Sequence, residues 1–134
     1  MQIYRKIVIK YWKVMNLKNR AEIDQIMKQL KARTGPQALS PKQVWRPDID
    51  EAIARLDWNG ASSDHNVVAL MAGLHLWNDN LYTSHSYSQQ IEYEAPGTGD
   101  YWHAIMHRME QDYSNSKHWF RQAGNHPVKQ AMPQ

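Results

Sequence analysis

Apolar residues recur every three or four positions through most of this chain, a period that predicts helices rather than strands. Ile3, Tyr4, Ile7, Val8, Tyr11, Trp12 and Met15 form a first stripe, with Arg5, Lys6, Lys10 and Lys13 outward. The β-branched run Ile7-Val8-Ile9 is where a strand competes. Asn19 and Glu22 have the spacing of a capping box ahead of the stripe Ile23, Ile26, Met27 and Leu30, and Gly35-Pro36 supplies a stop. Residues 34–47 are rich in turn formers and read as a connector. Asp48 with Glu51 repeats the capping pattern before a short helix that ends near Asp57 to Gly60, and Ser63 is placed to cap the helix carrying Val67, Leu70, Met71, Leu74 and Trp77. Within that helix, Ala72 and Gly73 are small enough to let a second helix approach closely. A break at Asn78 to Asn80 precedes another helix. Thr98 or Asp100 is expected to cap the next one, and Asp112 or Ser114 the last, which Gly124 and His126-Pro127 terminate.

These elements predict an all-α fold: an irregular helical domain with a basic helical N-terminal arm. Residues 1–46 read as arm and connector, and residues 47–134 as the helical body. No repeat period is visible. The 134 residues suffice for one domain that folds without a disulfide or a structural metal. Charge supports the division. Residues 1–33 carry nine Lys or Arg against Glu22 and Asp24, and the remainder carries seven against eleven acids, so the halves balance at +7 and −4. Residues 1–33 are therefore expected to be dispensable for folding of the body, and their basic face to be a solvated helical face or, alternatively, to meet an acidic protein surface. Nucleic acid ranks behind that, since no recognised nucleic-acid motif accompanies the basic residues.

Cysteine is absent, which excludes disulfides, thiolate catalysis and iron–sulfur ligation, so any metal must be held by nitrogen and oxygen. No secretory leader or run of about 18 apolar residues is present, and a cytoplasmic location with no membrane span is expected.

The chemistry concentrates in Tyr101 to Arg121. His103, His107 and Glu110 share one helical stripe at i, i+4 and i+7, where two imidazoles and a carboxylate can converge on an ion such as zinc, iron or manganese. The competing reading is a pair of buried, hydrogen-bonded histidines. His75, His85 and His126 are further candidate ligands from elsewhere in the fold, with Asp79, Glu92 or Asp112 as their outer partners. Arg108, Asn115, Lys117 and Tyr113 lie around the last inter-helix turn and are placed to hold a small anion. The chain has six Trp and seven Tyr but one Phe, so its aromatic surface comes with polar tips; Trp102 and Trp119 read as core with a polar edge.

The run from Gly99 to Val128 resembles the C-terminal signature of a family of small bacterial and fungal proteins with no assigned activity: a Trp-His helix, an "HR-E-DYSN" turn and a "WFR-G-HP" end. The resemblance covers about residues 69–128. It implies that His85, His103, His107, Arg108, Glu110, Asp112, Asn115, Lys117, Trp119 and His126 occupy motif positions. Met109, Gln111 and Lys129 depart from the pattern.

The function expected from these residues is a His-lined polar pocket that binds a metal ion or a small anionic ligand, in the manner of a metal-assisted hydrolase. In that scheme Arg108 and Glu110 are catalytic, and His85, His103, His107 and His126 hold the metal. The alternative is a non-catalytic interaction or assembly subunit that docks through its basic arm.

Overall fold

A computed structural model describes residues 17–34, 38–58 and 60–124 of the chain. The amphipathic stripe predicted over residues 3–15, the stop at Gly35-Pro36 and His126 lie outside the described residues. Among those described, there are six helices and no strand: α1 (Leu17–Lys31), α2 (Pro47–Ala54), α3 (His65–Trp77), α4 (Leu81–Gln89), α5 (Thr98–Met109) and α6 (Tyr113–Ala123). None is long and apolar enough to cross a membrane.

The core forms around α3. Eleven of its thirteen residues, Val67 to Trp77, are buried, so it is apolar on every side rather than striped. α5 crosses it where Gly73 presents no side chain: a Cβ there would sit 2.9 Å from the Trp102 ring. The close approach expected at Ala72-Gly73 is thus present, and Trp102 fills the space.

Two antiparallel hairpins, α3–α4 and α5–α6, are built from the same parts, although no repeat stands out in the sequence. Each first helix ends in a Schellman motif. Asp79 and Gln111 occupy the left-handed position at φ 64° and 67°. Asn80 N–H returns to His75 O at 2.9 Å, and Asp112 N–H to His107 O at 2.8 Å. The next residue caps the following helix: Asn80 accepts from Thr83 N–H at 3.0 Å and Asp112 from Asn115 N–H at 3.3 Å. Four residues later a buried serine bonds back across the hairpin, Ser84 Oγ to Ala72 O at 2.8 Å and Ser116 Oγ to Ala104 O at 2.9 Å. The shared pattern is Ala-x2-His-x4-Asn/Asp-x3-Ser, starting at Ala72 and at Ala104.

The Asn78-Asp79-Asn80 break is also a hub for the N-terminal half. The Asn78 side chain, wholly buried, pairs with both backbone groups of Arg46, and Asp79 accepts from Arg33 at 2.7 Å. Asp50 accepts from Asn80 Nδ2 at 2.8 Å and holds His75 Nδ1 at 2.7 Å. These contacts seat α1, the connector and α2 on the end of α3. In the described part of the expected arm, Ile23, Ile26, Met27 and Leu30 are buried in one cluster with Ile49, Leu74 and Trp102. The stripe needs a partner to leave water, and the body supplies it.

Several caps differ from expectation. Asn19 lies inside α1, buried, and its amide donates to Asp57 O at 2.7 Å instead of capping its own helix. Arg46, not Asp48, precedes α2, because Pro47 is suited to the first helical position. Asp64 displaces Ser63 as the cap of α3, its carboxylate accepting from Asn66 N–H at 2.9 Å. α5 starts from Gly97 at φ 90°, a conformation that suits glycine, while Asp100 turns inward to accept from Tyr93 N–H at 3.2 Å. Asp112 caps α6 as expected.

Candidate metal centre

α5 carries His103 and His107 on adjacent turns, and α4 packs alongside so that His85 meets them. One ring nitrogen from each of the three lies within 4.8 Å of the others. His85 Nε2 and His103 Nε2 are 3.0 Å apart. Zinc–nitrogen bonds of about 2.0–2.1 Å in a tetrahedron separate ligand atoms by about 3.3 Å, so this pair is already at ligand spacing. The wider separations, up to 4.8 Å, close with ring movements of roughly 1.5 Å.

Aromatic stacking orients the rings. His103 lies flat on Trp119, with centroids 4.1 Å apart and planes at 15°, and its other neighbour His107 stacks at 4.8 Å and 25°. Tyr93 extends the stack, 5.2 Å from Trp119. Trp119 comes from α6, so the hairpin turn at Gln111-Asp112 is what places a flat indole beneath the inner histidine. Its sequence reading as core is right for burial but leaves out this role.

Carboxylates stand behind the rings. His107 Nδ1 is 3.1 Å from Glu110 Oε2 and 3.9 Å from Asp112 Oδ2. His103 Nδ1 is buried without a hydrogen-bond partner, and Glu92 Oε1 is 3.9 Å away. Two of the three imidazoles therefore turn Nδ1 toward a carboxylate and leave Nε2 for the centre of the cluster. This is the orientation in which outer carboxylates hold metal-binding histidines. Burial, then the neighbouring His85, His107 and His118, push the His103 pKa down to about 3. Burial and His107 lower that of His85 as well, against the opposing pull of Glu110 and Glu92. His103 is 2 % exposed, whereas the side chain of His107 keeps 12 %, so the cluster opens at its outer edge.

The other expected site residues are dispersed. Glu110 sits behind His107 rather than beside His103, because helix α5 ends at Met109 and Glu110 is its C-cap. Arg108 lies about a quarter-turn from the histidine stripe and lines a separate cleft with Ile105, Met109 and Tyr113. Asn115 is held by Asp112 through a 2.7 Å side-chain bond that completes the α6 cap. Lys117 is exposed and is not part of that cleft. Of the four residues expected to grasp one anion, Arg108 and Tyr113 line this cleft and Asn115 and Lys117 do not. Asp79 belongs to the Arg33 ion pair, while Glu92 and Asp112 do stand near the histidines.

A further histidine considered from the sequence, His75, is buried as well but is not one of the three clustered imidazoles. His75 is 1 % exposed, bonded to Asp50 and stacked on Tyr87 at 5.7 Å and 9°. Burial lowers its pKa more than Asp50 raises it. Its place in the first hairpin matches that of His107 in the second, a correspondence visible once the two Ala-x2-His-x4-Asn/Asp-x3-Ser segments are aligned. No protein-family model, curated protein or solved structure matches this chain.

Proposed function

We propose that His85, His103 and His107 bind a divalent transition metal, and that the protein is a metal-dependent catalyst of hydrolysis. The observation that supports this reading is the convergence of three imidazoles from two helices, two of them with Nδ1 toward carboxylates. Three nitrogens suit zinc or iron better than manganese, which favours oxygen, and three protein ligands leave a coordination position for water. A bound zinc lowers the pKa of such a water toward neutrality, supplying a nucleophile at physiological pH. Glu110 then acts as an orienting group that accepts a hydrogen bond from His107 Nδ1–H, and Glu92, 3.9 Å from His103 Nδ1, takes the same role once the two close on each other. Arg108 has no part in this scheme, since it lies on another face of α5.

Metal-free protein, purified without a histidine tag, is expected to take up one zinc or cobalt ion per chain in equilibrium titration. His103→Ala is expected to abolish uptake and Glu92→Gln to weaken it by about 10–100-fold. His118→Ala, which removes an exposed imidazole bonded to Tyr93 at 3.4 Å, is expected to bind as the parent does. Failure of the parent chain to bind either ion would reject the metal reading. A chain that binds zinc yet leaves activated esters and phosphoesters unhydrolysed would reject the catalytic part alone. The competing reading is a non-catalytic interaction subunit in which the 3.0 Å His85–His103 contact is a neutral hydrogen bond that serves packing; in that case His103→Ala lowers the melting temperature and no ion is lost.

A further inference from the structure

On the face of α5 turned away from the histidines, α3, α5, α6 and the 38–40 segment enclose a cleft of about 450 Å³. That volume is within the roughly 300–1,000 Å³ of small-molecule sites. Leu76, Ile105 and Met109 form its apolar wall; Ser40, Arg108 and Tyr113 carry its polar groups. Among the described residues, Arg108 is the only charged one in the lining. It is exposed and has no ion-pair partner among the described residues. Carboxylates are not scarce nearby, but Glu110 and Asp112 are engaged with His107 and Asn115 on the other side of the helix end. Tyr113, the first residue of α6, is 58 % exposed, so its hydroxyl is accessible at the mouth of the cleft.

We infer that this cleft binds a small amphipathic carboxylate, with its apolar body against Leu76, Ile105 and Met109 and its head group on Arg108. The guanidinium fork offers two parallel N–H donors to a carboxylate, and the Tyr113 hydroxyl a third. An apolar body alone gains from burial in the cleft, so the charge is what separates an acid from an alcohol of the same shape. The site is independent of the histidine cluster.

Decanoate, decanol and decyltrimethylammonium, each below its aggregation threshold, test the inference in equilibrium titrations of the full chain. Decanoate is expected to bind saturably at one per chain, decanol at least about tenfold more weakly, which corresponds to about 1.4 kcal/mol, and the cation not at all. Arg108→Gln should bring decanoate down to the decanol level without changing decanol itself. Arg108→Lys should retain part of the preference, and Arg121→Gln, an exposed arginine outside the cleft, all of it. His103→Ala should leave decanoate binding intact, which separates this site from the metal centre. Equal affinity for acid and alcohol, an Arg108→Gln protein that still prefers the acid, or no saturable binding would overturn the proposal.

Discussion

His75 and His103 are buried imidazoles, 1 % and 2 % exposed, and each is held neutral chiefly by burial, with folded pKa values below the 6.5 of an unfolded chain. Below that pH the unfolded state binds more protons than the folded one, so stability is complete above about 6.5 and is lost as the pH falls toward the folded values. Each imidazole contributes a slope of up to about 1.4 kcal/mol per pH unit. Urea unfolding of metal-free protein at pH 7.5 and pH 5 should show this loss, and His75→Gln should show a smaller one despite lower stability at pH 7.5. An unchanged pH dependence in His75→Gln would mean that Asp50 offsets burial, and a larger loss that it outweighs burial. At this scale the sequence was informative where geometry is local. His103 and His107 share a stripe because i and i+4 always do, and Glu110 reaches His107 for the same reason. The Trp119 floor, the Glu92 approach and the separation of Arg108 from Lys117 depend on how α4 and α6 pack on α5, and no spacing within one helix encodes that.

The helical hairpin is the unit that assembles the site, since its turn sets which residues of the second helix face the first. Gly73 is a point of close approach between α3 and α5. Alanine there gains about 1 kcal/mol of helix propensity, but its methyl would lie 2.9 Å from the buried Trp102 ring, and overpacking of that kind costs about 1–3 kcal/mol. Gly73→Ala is therefore expected to lower the thermal midpoint, while Gly73→Ala with Trp102→Phe, which makes room, should recover part of it. A more stable single variant would show that the helices slide apart freely. Helix number and order across the described residues were legible from periodicity, and so were the Asn78–Asn80 break and the Asp112 cap. The displaced caps were not, because Ser63 and Asp64 are equally suited locally, and Asp100 is drawn inward by Tyr93 N–H, a partner seven residues away.

For the molecule as a whole, α1 decides whether the chain is a body with an arm or one unit. Fully burying a large apolar side chain contributes about 1.5–3 kcal/mol, and Ile23, Ile26, Met27 and Leu30 together approach the 5–15 kcal/mol that stabilises a whole domain. A chain beginning at Thr34 is accordingly expected to lose its cooperative thermal transition, and retention of that transition would restore the separable arm. Zinc at 100 times its dissociation constant should stabilise the folded chain by about 2.7 kcal/mol, an increment absent from His103→Ala. The all-helical class, the apolar stripes, the absence of thiol chemistry and the pairing of His103 with His107 follow from the amino-acid order alone, because periodicity, composition and i,i+4 geometry act over a few residues. Packing between helices is what buries α1 in the core, brings His85 to the His103 and His107 pair beside Trp119, and turns Arg108 to a different cleft. Those outcomes turn on which stripes bury against one another, a choice made by the shape of side chains such as Gly73 and Trp102 that are distant in sequence and meet only in the fold.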